Sequence, residues 1–423
     1  DFWLTKPRPL RYWYRHTHQY WLERPAEEEG MKKTTAAWLG MTLAVCGMIS
    51  AGGAQPGERP KVLGLDKIIA MVYYPEEEAR AFKSATYAHS ADWKYWSGRG
   101  GIAATAKTWQ SLLTDTTVEQ GVAVLAGIDF EDNPRPLLAI DELGFDEGGE
   151  SDQKSAQILE AFKKQKPQVS LGVYQMRGPV PEVLARTYKK VVDLLMMECY
   201  VGDVKEYWWI ASQLHAARLH GLLEKAIVLI GLGVGGQPGE NWVTTKEELE
   251  RQIRFIRLVA PESPGVGFFK GTVDPAVTAY ADELCAKFDS IPTDGADLPP
   301  EALEVHKLFS TLYERPMLVT SASWSEPERS FADPHKLVHP YAFRLYIMNL
   351  GSQDAKDVKV RLANPKDMGG DVFAEGTVNL IPKQYAVEAV LSMTQTGEAW
   401  RVWKTWDSQI EAAGCDTKVF PPR

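Results

Sequence analysis

The sequence predicts a (β/α)₈ barrel followed by a small all-β domain. Between residues 66 and 288, short apolar runs rich in β-formers alternate with amphipathic stretches, as in repeated strand–helix units. Several of these runs end on acidic side chains, which favours a closed barrel over a doubly wound sheet because a barrel gathers its strand ends at one mouth. Beyond Pro316 the pattern changes to strands of alternating apolar and polar residues.

The first 54 residues are predicted to lie outside the folded domains. Residues 1–30 show no helical or strand period and are interpreted as a non-structural extension. Residues 31–54 have the pattern of a secretory signal peptide, with two lysines after Met31, an apolar core and small residues at the end. A lipoprotein signal at Cys46 is the alternative, and the bulky Val45 disfavours it. The mature protein is therefore expected to be secreted or periplasmic, with no membrane insertion after signal cleavage, because the apolar core is too short to span a bilayer.

The remaining chain is acidic and carries no recognisable cofactor motif. Without residues 1–54 it has 40 Lys and Arg against 51 Asp and Glu, a net charge of −11, which argues against nucleic acid as a partner. Its three cysteines, Cys199, Cys285 and Cys415, have no paired spacing, and the histidines show no metal spacing. The glycines at 231–236 depart from the dinucleotide-binding pattern. We therefore predict neither a cofactor nor a metal.

Six segments predict barrel strands because they are continuous apolar runs, as strands covered on both faces require. They are residues 67–74, 137–143, 168–176, 191–200, 226–236 and 265–271. Helices are predicted between these strands where apolar residues recur every three or four positions and a helix start signal comes before the segment. These helices span residues 151–165, 181–192 and 246–259. The segment 117–128 is ambiguous, and Thr117 with Gln120 favours a helix. The predicted barrel domain spans residues 61–290.

Three segments complete the predicted domain organisation. A Pro- and Asp-rich linker and a helix occupy 291–315, an antiparallel sandwich 316–398, and a tail rich in tryptophan 399–423. The stretches YAFRLYIMNLGSQDAKDVKVRL and GTVNLIPKQYAVEAVL resemble the immunoglobulin-like modules appended to many secreted bacterial enzymes.

Acidic residues at two predicted strand ends indicate a site at the barrel mouth. Asp141 and Glu142 end one strand, and Glu198 lies at the end of another. A carboxylate beside apolar walls is costly unless it is paired or its pKa is raised, so acids on separate strands suggest catalysis. The structural alternative is that Asp141 caps a loop and Glu198 pairs with Lys270 or Arg177. Hydrolysis of an acetal needs one protonated acid and one anionic group, which these carboxyls would supply.

Aromatic and basic side chains near the strand ends predict how a sugar would be bound, because sugar faces stack on aromatic rings. Each of these aromatic residues would also suit an apolar core. Trp93 and Trp96 lie in a segment, residues 89–101, that is predicted to be a loop bounded by glycines. The predicted substrate-binding residues are Tyr74, Trp93, Trp96, Tyr174, Arg177, Tyr200 and Lys270.

The Asp-Glu pair in AIDELG is similar to the pair that ends the fourth strand of hexosaminidase-type (β/α)₈ glycoside hydrolases. The resemblance implies that Asp141 orients a substrate acetamido group and that Glu142 is the general acid. VDLLMMECY also resembles the chitinase-type strand that ends on Met-x-Tyr, which leaves Tyr200 as an acetamide contact, but the chitinase D-x-x-D-x-D-x-E series is not reproduced. The α-galactosidase-like enzymes, with acids on the fourth and sixth strands, fit Asp141 or Glu142 together with Glu198.

These resemblances imply a secreted glycoside hydrolase with an oligo- or polysaccharide substrate and carboxylate acid/base chemistry. The alternative is a non-catalytic glycan-binding or cell-surface scaffold protein that has kept the barrel.

Overall fold

The computed structural model describes residues 61–108, 116–143, 150–175, 180–234, 242–322, 342–363, 370, 372–393 and 407–420. Eight parallel strands close into a barrel in sequence order, which confirms the predicted barrel. The strands are β1 (Ile68–Val72), β2 (Tyr87–His89), β3 (Ile102–Thr108), β4 (Leu137–Leu143), β5 (Ser170–Gln175), β6 (Leu194–Glu198), β7 (Ala226–Leu232) and β8 (Gly265–Lys270). The predicted extension (1–30) and signal peptide (31–54) lie outside the described residues.

Helices connect the barrel strands and cover the outer face of the barrel. They are α1 (Glu76–Ala81), α2 (Trp93–Gly98), α3 (Val118–Ala126), α4 (Glu150–Gln165), α5 (Glu182–Val191), α6 (Tyr207–Leu219), α7 (Lys246–Val259) and α8 (Pro275–Ala286), with α9 (Pro300–Ser310) after the barrel. In the described part of the chain, no helix combines the length and apolar character needed to cross a membrane.

The ambiguous segment 117–128 is a helix, as predicted. Thr117 and Gln120 form a capping box at the start of α3, in which each side chain accepts the other residue's backbone N–H. By contrast, residues 89–101, expected as a loop, contain the short helix α2, which Asp92 caps by accepting the N–H of Tyr95.

Side chains alternate between the barrel interior and the helix layer. Ile68, Ala70 and Val72 of β1 belong to the interior cluster, whereas Ile69 and Met71 pack under the helices. The same alternation puts Leu194 and Met196 of β6 inside. A residue that continues the inner row past the C-terminal end of a strand therefore points into the barrel mouth.

An all-β domain follows the barrel. Its strands are β9 (Met317–Ala322), β10 (Ala342–Asn349), β11 (Ala355–Ala363), β12 (Val372–Ile381), β13 (Tyr385–Met393), β14 (Asp407–Glu411) and β15 (Asp416–Val419). They form one sheet in the order β14-β11-β12-β13-β10-β9-β15 around an apolar core. The segment 399–423 was predicted to be a separate tail, but it contains β14 and β15 and so belongs to the sheet. The likeness to immunoglobulin-like modules stays a prediction.

The two domains pack through aromatic rings. Phe420, just after β15, stacks on Trp208 of α6 with ring centroids 4.8 Å apart and planes 4° apart. Phe420 also faces Phe309 of α9. Both α6 and α9 lie against the barrel, so the sheet is anchored to the helix layer.

Candidate functional site

Asp141 and Glu142 lie side by side at the C-terminal end of β4, where the strand contains a bulge. Three residue steps on β4, from Ile140 to Leu143, face two steps on β5. Ile140 and Leu143 both pack in the outer layer, so the two residues between them take the place of one inner residue. Glu142 has the left-handed backbone angle φ = 60°. Strained backbone of this kind is concentrated at functional sites.

Asp141 accepts two hydrogen bonds that suit a carboxylate anion. The hydroxyl of Tyr73 donates to its Oδ2, and the backbone N–H of Glu142 donates to its Oδ1 over 3.1 Å. The side chain is almost buried, and burial raises the pKa of Asp141, while the bonds from Tyr73 and Glu142 act in the opposite direction. Asp141 is therefore an acid whose protonation state depends on its donors.

Glu198 continues the inner row of β6 into the same mouth, after Leu194 and Met196. Burial raises the pKa of Tyr73, and the charges of Asp141 and then Glu198 raise it further. Burial, followed by Glu198 and Asp141, likewise raises the pKa of Tyr200. Each phenol thus lies within electrostatic reach of acids from β4 and from β6. The acids that were predicted from separate strands are brought together.

An aromatic wall stands beside the acids. The ring of Phe269, from β8, lies 5.7 Å from Tyr73 and 5.2 Å from Tyr200, and Trp242 lies 5.1 Å from Tyr200. Gly231 of β7 makes room for the indole, because a Cβ at that position would come within 2.5 Å of Trp242. Tyr200 and Phe269 are partly exposed and offer ring surface of the kind that packs on the C–H faces of sugars, and the buried Trp242 supports them from behind.

Buried hydrogen-bonding side chains form the floor of the mouth. The hydroxyls of Tyr87 and Tyr174 are 3.0 Å apart, and the Tyr174 hydroxyl also contacts Nε2 of His89. Tyr174 is fully buried, so its ring supports the floor and does not offer a stacking face to a ligand.

Four other predicted binding residues lie away from the acids or in the core. Tyr74 belongs to the outer layer, and Lys270 lies over its ring and pairs with Glu78. Trp96 is completely buried, with its indole N–H 3.3 Å from Glu76. Trp93 packs partly on the same outer core and donates its N–H to the carbonyl of Glu131. Arg177 lies outside the described residues.

Tyr74 was predicted as a binding residue, but Tyr73 is the tyrosine that contacts Asp141 in the mouth. The inner row of β1, Ile68, Ala70 and Val72, would continue to residue 74 if the alternation held. Tyr73 has φ = 57°, which interrupts the alternation, sends Tyr73 to the mouth and returns Tyr74 to the outer layer.

His89 and Phe269 were also missed as site residues, and Trp242, one of several aromatic residues that follow predicted strand ends, was not chosen. His89 follows the inner residue Tyr87 in a strand of three residues, too short to be recognised from its periodicity. Phe269 continues the inner side of β8, and the alternation along this strand could have identified it as a residue of the mouth. Trp242 follows β7 by ten residues, a distance at which periodicity gives no information.

Comparison with known proteins gives only distant similarities. No family model and no curated protein matches the chain. The GH18 chitinase ChiB of Flavobacterium johnsoniae is similar with a TM-score of 0.37 and 6% identity, over 55% of this chain and 99% of that one. A GH27 β-L-arabinopyranosidase of Geobacillus stearothermophilus is similar with a TM-score of 0.31 and 11% identity, over 71% and 76%. β-Glucuronidase 3 of Bacteroides uniformis gives 0.27 and 9%, over 82% and 47%. Similarities of this size carry no inference about activity.

Proposed function

We propose that this protein is a glycoside hydrolase whose active site is the mouth of the barrel. The observation that carries the proposal is the convergence of Asp141 from β4 with Glu198 from β6 beside an aromatic wall, with Glu142 next to Asp141 in the β4 bulge. A closed barrel of this kind normally carries its catalytic residues at the C-terminal ends of its strands.

The three acids divide into one proton donor and two anionic candidates. Glu142 is the general acid that protonates the glycosidic oxygen. Asp141 is the anion, because the Tyr73 hydroxyl and the Glu142 N–H both donate to it. Glu198, two strands away, is the second anionic candidate. Either anion can stabilise an oxocarbenium-like transition state, attack the anomeric carbon or activate a water.

Two mechanistic routes fit this set of acids. In the substrate-assisted route, Asp141 orients an acetamido group of the sugar, which serves as the nucleophile. In the two-carboxylate route, Glu198 acts as nucleophile or base opposite Glu142. Retention and inversion differ in the separation of the two carboxyl groups, about 5–5.5 Å against about 6.5–9.5 Å.

The sugar is held by aromatic side chains of the mouth. Tyr200 was predicted from the sequence, and Tyr73 and Phe269 join it, while the buried Trp242 supports Tyr200 through their ring contact. We further propose that the mature protein is exported and that the C-terminal all-β domain is an immunoglobulin-like spacer. The substrate is then an oligo- or polysaccharide outside the cell.

An activity screen tests this proposal. The unmodified protein is assayed on aryl glycosides and oligosaccharides, with N-acetylated and plain sugars in parallel. A requirement for the acetamido group selects the substrate-assisted route. Glu142→Gln should lower hydrolysis of the oligosaccharides by about 10²–10⁴-fold and keep glycan affinity, measured by calorimetry. Glu224→Gln is the matched control, since Glu224 is exposed just before the N-terminal end of β7.

Two results would contradict the proposal. Unchanged hydrolysis of the oligosaccharides by Glu142→Gln would show that Glu142 is not the general acid. Absence of turnover on all substrates, together with glycan binding by the unmodified protein, would support the non-catalytic glycan-binding alternative.

A further inference from the structure

The floor of the mouth contains a short chain of hydrogen bonds between two phenols and an imidazole, and each of these three groups carries one N–H or O–H proton. Tyr87 contacts Tyr174, and Tyr174 contacts Nε2 of His89. Tyr87 and Tyr174 are fully buried, and among the described residues the Tyr87 hydroxyl has Tyr174 as its hydrogen-bond partner. Nδ1 of His89 is a buried atom without a hydrogen-bond partner in the described part of the protein.

The direction of the chain follows from counting donors. If Tyr87 donates to Tyr174 and Tyr174 donates to Nε2, both phenol protons are used, and His89 carries its proton on Nδ1, which is the single unpaired group in this arrangement of the described residues. If the direction is reversed, Nε2–H donates to Tyr174 and Tyr174 donates to Tyr87. The Tyr87 proton is then left without an acceptor in the sealed interior, and Nδ1 is left as an unpaired acceptor. Because each unsatisfied buried group carries a desolvation cost, the first direction is favoured.

His89 is a neutral imidazole at neutral pH, as this accounting requires. Burial lowers the pKa of His89 to about 4. A neutral imidazole has one N–H and one acceptor nitrogen, and the hydrogen bond at one nitrogen decides which is which.

The imidazole also touches the residue that binds Asp141. Its ring centroid is 4.7 Å from that of Tyr73, with the planes 87° apart. Phe269 packs edge-on against Tyr73 at 5.7 Å. Tyr73 is 44% exposed and has a left-handed backbone, so its position depends on these ring contacts and on the bond to Asp141.

We propose that Tyr87, Tyr174 and His89 form a hydrogen-bond chain with a single direction, which fixes His89 as the Nδ1–H tautomer. In this form, His89 positions the Tyr73 hydroxyl to donate a hydrogen bond to Asp141. His89 is thus a positioning residue that acts on the acid through Tyr73. The part of this inference that concerns catalysis rests on the proposed function, whereas the tautomer and the effect on Asp141 do not.

The pKa of Asp141 shows whether Tyr73 is in place, because the hydrogen bond from Tyr73 lowers this pKa. The titratable groups around it are Tyr73 from β1, Glu142 on its own strand, Glu198 at the end of β6, and Tyr200, with Tyr87, His89 and Tyr174 below. Of these, Tyr73 is the side chain that donates a hydrogen bond to Asp141. A displaced Tyr73 therefore leaves Asp141 with the backbone N–H of Glu142 and raises the pKa of Asp141.

The tautomer is tested by ¹⁵N NMR of the full chain with labelled histidine at neutral pH. We expect Nδ1 of His89 to be protonated and Nε2 to have the chemical shift of an unprotonated nitrogen. Tyr174→Phe removes the donor to Nε2 and should shift His89 towards the Nε2–H form. An Nε2–H tautomer in the unmodified protein, or an unchanged tautomer in Tyr174→Phe, would overturn the proposal.

The positioning is tested by ¹³C NMR titration of the Asp141 carboxyl group. His89→Ala should raise the pKa of Asp141 in the same direction as Tyr73→Phe, and the double variant should match Tyr73→Phe alone. His215→Ala is the control, because His215 is a buried histidine on α6, outside the barrel, whose burial also lowers its pKa to about 4. It should leave Asp141 unchanged.

Two titration results would overturn the proposal. One is an unchanged Asp141 pKa in His89→Ala when Tyr73→Phe raises it, and the other is additive effects in the double variant. If His89→Ala does not fold, Tyr174→Phe serves in its place, since it removes one oxygen atom and should raise the pKa of Asp141 by a smaller amount. These readouts need no turnover, so failure of the proposed glycosidase activity would be seen separately in the activity screen.

Discussion

Removal of the Tyr73 hydroxyl gives the sharpest test of how the acids are held. Tyr73→Phe keeps the ring contacts with His89 and Phe269 and removes only the hydrogen bond to Asp141. The bond from the Glu142 N–H remains, so Asp141 loses one of its two donors. The anion is then less stable, and its protonation occurs at higher pH.

The size of the effect follows from the worth of one hydrogen bond. A bond to a charged group contributes about 1.5–3 kcal/mol, and Tyr73 is half-exposed, so the lower end applies. Since 1.36 kcal/mol corresponds to about one pH unit, the acid limb of the kcat/KM profile should move up by about one unit. Activity near neutral pH should change less than activity at acidic pH.

The assay is the pH dependence of kcat/KM on the best aryl glycoside. Tyr280→Phe is the matched control, because Tyr280 donates to Glu250 over 2.6 Å on the outer helices, away from the mouth. An acid limb that stays in place in Tyr73→Phe, or that moves equally in Tyr280→Phe, would refute the role of the Tyr73 hydroxyl.

Three further variants probe the site. Asp141→Asn should be more stable than the unmodified protein at pH 7, with a higher free energy of unfolding, because burial raises the pKa of Asp141 in the folded state. The stability that protonated Asp141 provides is lost as the pH rises through that pKa, so the difference should vanish in acid below about pH 4 in chemical denaturation. Gly231→Ala should displace the Trp242 indole, raising KM more than it lowers kcat and costing about 1–3 kcal/mol in stability; an unchanged KM would argue against the wall as a binding surface. Lys270→Gln should keep kcat/KM within about twofold and change stability by less than about 1 kcal/mol, since the pair with Glu78 is partly exposed; a large loss of activity would return Lys270 to the site.

The barrel was predictable because the signals that define it are local. Strands such as Ala226–Leu232 are buried along their whole length and therefore read as continuous apolar runs. The strand Tyr87–His89 is too short for such a run, and Ile102–Thr108 contains small and polar residues that dilute it. The eight-stranded closure was inferred from the acids at the strand ends, and the sheet order confirms it.

The acids were predictable and their surroundings were not. Glu198 follows from the alternation along its strand, and Asp141 follows in the same way. The choice of Tyr74 over Tyr73 failed because a single left-handed residue reverses which side chain faces the mouth, and the composition of the chain there does not reveal it. Trp96 failed for a related reason, since the predicted loop is a helix that turns the indole into the core.

The role of Glu142 is tested most directly by how kcat/KM depends on the acidity of the leaving group. The kcat/KM of the unmodified protein and of Glu142→Gln is compared on a series of aryl glycosides whose phenols differ in acidity. If Glu142 protonates the leaving oxygen, the variant should lose about 10²–10⁴-fold on the least acidic phenols and much less on the most acidic ones, which leave without help. An equal loss across the series, or no loss, would contradict the assignment of Glu142 as the general acid.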